Sequence, residues 1–215
     1  MHALSQPLGH PAPISMAVLG DSLAYGLGAS AVELGLAHLL HARLRANRPA
    51  STLFTFAVPH STMGDVLRHQ VPHVRGLSVD LVLVVAGAND LRYTRDVIVI
   101  TRRFRNLLEA IHDAAPGAQV VAGGMPDVTQ TIGVPRLLKA PVRHLCERLS
   151  DRMRGIAHSF DDGFIDMFQF TNAPLCQDAQ YLCDDGFHPN DFGYAEIAQR
   201  AYPALEAAVE RIFSA

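Results

Sequence analysis

Five short, largely apolar runs recur along the chain, at Ile14–Leu19, Leu53–Val58, Leu81–Ala86, Gln119–Ala122 and Phe164–Met167. Runs of this length fit strands buried on both faces, as in a parallel sheet covered by helices. Between them the apolar residues take up helical spacing. Val32, Leu36, Leu39, Leu40 and Leu44 mark one helix face, and Val97, Ile100, Phe104, Leu107, Leu108 and Ile111 a second. On that second helix Arg102, Arg103, Arg105 and Glu109 are expected to turn outward to solvent. Val142, Leu145, Leu149, Met153 and Ile156 form a third stripe. Tyr194, Ile197, Ala201, Leu205 and Ile212 form the last, which Pro203 is expected to kink or restart. Strands alternating with helices predict an α/β architecture.

Composition narrows this picture. The 215 residues are 49% hydrophobic and 18% charged, enough apolar material for a sizeable core. There is no repeat, low-complexity tract or linker, so a single domain over 1–215 is expected, with 1–13 an irregular N-terminal extension. A net charge of −3 gives no general attraction to nucleic acid or anionic membrane. No apolar run approaches the roughly 20 residues of a membrane span. Met1 to Pro13 lacks the pattern of a signal peptide, and reduced thiols fit the three cysteines, so a cytoplasmic location is expected. A Cys176–Cys183 bridge stays open.

The chemistry lies where the strands end. Gly20-Asp21-Ser22-Leu23 follows the first run, Gly87-Ala88-Asn89-Asp90 the third, and Asp185-Gly186-Phe187-His188-Pro189 comes near the end of the chain. A serine just past a buried strand sits at the carboxyl edge of the sheet, where open α/β proteins bind their ligands. An acid and an imidazole three residues apart are the two partners such a serine needs. An asparagine amide can donate to an oxyanion. Asp21 and Asp90 are expected to bond loop backbone. The irregular segments 123–134 and 169–184 should lie at the same edge, the second of them apolar, with the adjoining Phe168, through Phe170, Leu175, Tyr181 and Leu182.

These three motifs, in this order, resemble the first, third and fifth sequence blocks of the SGNH hydrolases, the GDSL lipase/esterase family. The resemblance spans nearly the whole chain. It implies a three-layer α/β/α sandwich, flavodoxin-like, with about five parallel strands, in keeping with the strand count above. It implies Ser22 as nucleophile, His188 as general base and acid, and Asp185 as the residue orienting it. The oxyanion hole would use the Ser22 backbone N–H and the Asn89 amide, with Gly87, Leu23 and Phe187 near the substrate. The family's second block departs from its usual form: His60 stands where a glycine with a donating N–H is expected, and Gly64 is the alternative donor.

The activity implied is hydrolysis of carboxylic esters of short to medium acyl chains, with a small-molecule substrate and no cofactor or metal. Transfer of the acyl group to a sugar or other alcohol is the nearest alternative. A non-catalytic or nucleotide-binding module is a distant one. For the nucleotide reading, Gly26-Leu27-Gly28-Ala29-Ser30-Ala31 fits G-x-G-x-x-A, but no acid lies between Glu33 and Asp65 to bind a ribose. The oligomeric state is left open.

Overall fold

The computed structural model describes residues 11–130, 134–172 and 179–214. The apolar runs form one sheet of β1 (Ser15–Gly20), β2 (Thr52–Thr55), β3 (Leu81–Val85), β4 (Gln119–Gly123) and β5 (Gly163–Ile165). Their order is 2-1-3-4-5, and every neighbouring pair is parallel. Met16 stands beside both Leu53 and Leu81, and Leu81 beside Gln119. This is the flavodoxin-like order. Its switch point lies between β1 and β3, where the chain departs to opposite sides and leaves a crevice at the carboxyl ends.

Helices cover both faces because every buried strand residue points to one side or the other. On one side Met16, Val18, Leu83 and Val85 pack against α2 (Leu36–Asn47) and α8 (Asp191–Ser214). On the other, Ala17, Leu19, Val82 and Val84 meet α5 (Val97–Ala114) and α6 (Arg136–Ser159). The shorter helices α1 (Ser22–Tyr25), α3 (Met63–Asp65), α4 (Val71–Val74) and α7 (Met167–Asn172) sit in the connections. A π-helical turn, Val66–Gln70, joins α3 to α4.

Several boundaries differ from the sequence expectation. β5 stops at Ile165, because the Asp166 carboxylate accepts the Gln169 N–H at 3.1 Å and the chain turns into α7. β2 ends at Thr55, although Phe56 and Val58 still donate to the Val18 and Gly20 carbonyls. Val32 is exposed, since residues 32–34 make a separate 3₁₀ turn and α2 starts only after Gly35. Pro203 does not restart α8, which runs through it.

The segment after α1 reaches the chain's far end. Tyr194 donates its hydroxyl to the Leu27 carbonyl at 2.8 Å. Ser30 donates its N–H and its hydroxyl to Asp191 at 2.8 and 2.6 Å. Gly28 lies at the centre of this seam with φ +101°, and a Cβ there would sit 2.5 Å from the Pro189 carbonyl oxygen. The glycines of the G-x-G-x-x-A string thus serve close packing: Gly26 likewise lies against Gly35. Gly28→Ala combines an unfavourable φ with a backbone clash, so urea unfolding should show it less stable by on the order of 2–4 kcal/mol.

Candidate active site

Ser22 is placed by the turn that ends β1. Gly20 has φ +142°, and a Cβ on it would come within 2.0 Å of the Val85 carbonyl oxygen. Only glycine fits so tight an approach of β1 to β3. The next N–H, of Asp21, donates to that same oxygen at 3.0 Å. The Asp21 carboxyl then caps α1 by accepting the Leu23 N–H at 3.0 Å. Ser22 is therefore the first residue of a helix at the carboxyl edge of the sheet, and its N–H has no acceptor one turn back.

Residues 166 positions apart meet here. The Ser22 hydroxyl lies 3.0 Å from His188 Nε2, and His188 Nδ1 lies 2.6 Å from Asp185 Oδ2. The ring is fixed by more than that contact. Asp185 Oδ1 accepts the backbone N–H groups of Phe187 and His188 at 2.7 and 2.9 Å, folding the loop around its own carboxylate. Phe187 packs edge-on against the imidazole, with centroids 4.6 Å apart. Ser22 and His188 are nearly buried, at 7% and 8% exposure, while the Asp185 side chain is about half exposed. Partial burial pushes the Asp185 carboxyl up, but its bonds to the His188 ring, to two backbone N–H groups and to the Cys183 thiol outweigh this. It is held well below the usual carboxylate range.

The opposite wall comes from the turns after β2 and β3. Asn89 lies in a 3₁₀ turn, Ala88–Arg92, and its amide donates to the Ser61 carbonyl at 3.1 Å. Next to it, Asp90 is fully buried. Its carboxylate accepts the Met63 N–H at 2.9 Å and an Arg103 guanidinium N–H at 2.8 Å. Arg103 thus does not simply face solvent: it compensates a buried charge that ties α3 to the Asn89 turn. Gln70, buried in the π-helical turn, binds both backbone groups of Gly20. Its Oε1 accepts the Gly20 N–H at 2.7 Å, and its amide donates to the Gly20 carbonyl at 2.9 Å and to Ser61 Oγ at 3.2 Å. One side chain so joins the serine turn to the segment before α3.

Two cavities meet over the serine and share Ala88, Asn89, Val128, Phe187 and His188 besides Ser22. The smaller, of about 80 Å³, runs inward past Leu23, Val85, Pro126, Thr171 and Leu182. The larger, of about 510 Å³, runs along His60, Leu91, Arg92, Arg95, Val134 and Leu145.

The sequence model of the GDSL-like Lipase/Acylhydrolase family matches residues 18–196. The chain belongs to that family. It is a serine hydrolase, and the matched region contains Ser22, Asn89, Asp185 and His188. No curated protein matches it. Among solved structures it is similar to TesA, with a TM-score of 0.73 and 19% identity over 90% of this chain and 99% of that one. It is also similar to a psychrotrophic esterase, EstA, from Pseudoalteromonas sp., whose structure is inhibited by monoethylphosphonate. There the TM-score is 0.71, with 19% identity over 92% and 99% of the two chains. For an extracellular lipase from Streptomyces rimosus the values are 0.64, 21%, 91% and 99%. At these identities the likeness carries the fold.

The other expected site residues of this GDSL hydrolase fall as follows. His60 lines the larger cavity and has φ +68°, a conformation suited to glycine. Gly64 lies inside α3 and lines neither cavity. Leu23 lines the smaller cavity and Phe187 both, whereas a Cβ on Gly87 would point 2.8 Å from Met63 Cε rather than at substrate. Of the apolar residues in 169–184, Leu182 lines the smaller cavity and Phe170 packs against the core. Leu175 and Cys176 lie outside the described residues. Cys183 is a free thiol that donates to Asp185 Oδ1 at 3.1 Å. Among the described residues no group of three or more His, Cys, Asp or Glu could hold a metal ion. No helix there is long and apolar enough to cross a membrane. Gln70, Arg92, Arg95 and Arg103 are the residues that pattern reasoning passed over. For Gln70 a signal existed: it falls on the stripe Val66, Gln70, Val74 at four-residue spacing, where a polar residue must be buried with partners.

Asp21 makes the site pH-sensitive in its stability. Burial is the largest influence on its carboxyl; the Leu23 N–H opposes it and the Asp90 charge adds to it, and the net effect raises the group from 3.8 to about 7. Between about pH 4 and 7 the unfolded chain gives up this proton while the folded one keeps it. Stability from Asp21 is therefore greatest below that window and lost as pH rises through it. Asp21→Asn removes the titration, so the unfolding free energy of variant minus wild type should rise between about pH 4 and 7. Urea unfolding across that range checks this.

Proposed function

We propose that this GDSL hydrolase cleaves carboxylic esters of short to medium acyl chains through an acyl-enzyme on Ser22. The observation that carries the reading is the unbroken hydrogen-bonded chain Ser22 Oγ, His188 Nε2, His188 Nδ1, Asp185 Oδ2. A serine hydroxyl is a poor nucleophile until a base takes its proton. As Oγ attacks the ester carbonyl, His188 Nε2 accepts that proton and the carbonyl π-electrons move onto oxygen. Asp185, held ionised, keeps Nδ1 protonated and stabilises the imidazolium. When the tetrahedral species collapses, His188 returns the proton to the departing alcohol. Water then repeats the sequence on the acyl-enzyme and frees the acid and the serine.

The oxyanion is assigned to three donors. The Ser22 N–H is an orphan of the α1 first turn. The Asn89 amide has two N–H groups, of which Ser61 takes one. The His60 N–H is the third, and the positive φ at His60 supports its place in the family's glycine position. The smaller cavity is assigned to the acyl group. Its volume of about 80 Å³, against about 510 Å³ for the other cavity, favours the short end of the range.

Ser22→Ala should lower kcat by on the order of 10³-fold or more with unchanged circular dichroism. Near-normal turnover of p-nitrophenyl acetate would reject Ser22 as nucleophile. Asn89→Ala should cost about 10²–10³ in kcat, as removal of one oxyanion donor does elsewhere. At position 60 the backbone, not the ring, is the reagent. His60→Gly should therefore lose far less kcat than His60→Val, whose β-branch opposes the required φ.

A further inference from the structure

The larger cavity has a charge pattern unlike the rest of the chain. The protein carries a net −3, with 21 acidic residues against 18 Lys and Arg. Yet among the described residues no Asp or Glu lines this cavity, and its fully charged side chains are Arg92 and Arg95. The acids beside these arginines in sequence are engaged elsewhere. Asp90 is buried on Arg103 and the Met63 N–H, and Asp96 caps α5 through the Ile98 and Val99 N–H groups. Among the described residues neither Arg92 nor Arg95 has a hydrogen-bonded or ion-paired partner. Away from Ser22, His60, Asn89 and His188 the rest of the wall is apolar, through Leu91, Val134, Val142 and Leu145. Guanidinium pairs suit carboxylate and phosphate oxygens, because their N–H groups form a planar fork.

Resting on the esterase reading above, we propose that the larger cavity takes the alcohol portion of the ester and that Arg92 and Arg95 select substrates whose alcohol carries a carboxylate or phosphate. The division follows from size. The acyl group fills the small inner pocket, and the departing alcohol occupies the cleft of about 510 Å³, with its anion at the arginine-bearing wall. Exposed arginines act here through attraction and orientation of the substrate, so the effect lies mainly in KM and weakens with salt.

The test compares acetate esters of matched phenols: 4-acetoxybenzamide as the neutral member, 4-acetoxybenzoate and 4-acetoxyphenyl phosphate as anions, and 4-acetoxyphenyl-trimethylammonium as the cation. Each rate is divided by that of hydroxide-catalysed hydrolysis to remove leaving-group differences. At low ionic strength kcat/KM for at least one anion should exceed the neutral ester by about tenfold, and the cation should fall below it. The better of the two anions identifies which group the site takes. In Arg92→Gln/Arg95→Gln the anion-to-neutral ratio should fall to about one, and this ratio is insensitive to any general loss of rate or folded protein. Equal normalised rates in the wild type, or a preference that survives in the double variant, overturn the proposal. Cleavage of the neutral ester without anion preference would sink this inference alone. No cleavage of any ester would sink the esterase reading beneath it.

Discussion

His188 reaches Ser22 only because two loops from opposite ends of the chain lie in contact, and the rest of the site depends on that seam. It is made by the absence of a side chain at Gly28, which lets backbone approach the Pro189 carbonyl, and by hydrogen bonds from Tyr194 to Leu27 and from Ser30 to Asp191. Each such bond adds only about 1 kcal/mol net. Their weight comes from where they act: they span the stretch that must close for the imidazole and the hydroxyl to share a proton. The isolated antiparallel bridge between Leu182 and Pro189 and the folding of the loop around Asp185 stiffen the far side of the same seam.

The wall carrying Asn89 is built by another device, buried polar groups that satisfy one another. Asp90 with Arg103 fixes the turn after β3 to α3, and Gln70 fixes the end of β1 to the segment around Ser61. The π-helical turn that holds Gln70 adds a residue to the helical path, a feature common beside functional sites. Low dielectric makes such networks rigid when complete and costly when broken. Asn89 and Ser22 are therefore held by scaffolding that touches no substrate.

Two carboxyls flank the reaction centre under opposite influences. Asp185, half exposed and supplied with donors, is held as the anion against His188. Asp21, buried beside the charge of Asp90, is pushed toward the neutral acid and serves as a helix cap. Desolvation raises both; the donors around Asp185 reverse it there and the Leu23 N–H at Asp21 does not, so surroundings set the two apart. A negative charge on Asp21 would lie one residue from Ser22, and burial works against it.

The sequence by itself determined the class of fold, the motifs and their order, because burial on both faces leaves a strand apolar and the turn chemistry around Ser22, Asn89 and His188 is local. It misplaced the end of β5 and took Val32 for a helix face, since periodicity does not distinguish a buried strand residue from the first residue of the helix that follows. It read the glycines at 26 and 28 as a possible nucleotide motif, when their reason is contact with Gly35 and Pro189. Only the tertiary structure decided that Arg103 neutralises Asp90, that Gln70 clamps Gly20, that His60 adopts a glycine-like φ, and that Arg92 and Arg95 face the cleft. These depend on which distant backbone lies opposite each side chain. Patterns of hydrophobicity specify which face of an element is buried, and leave the partner across the interface to the packing of the whole chain.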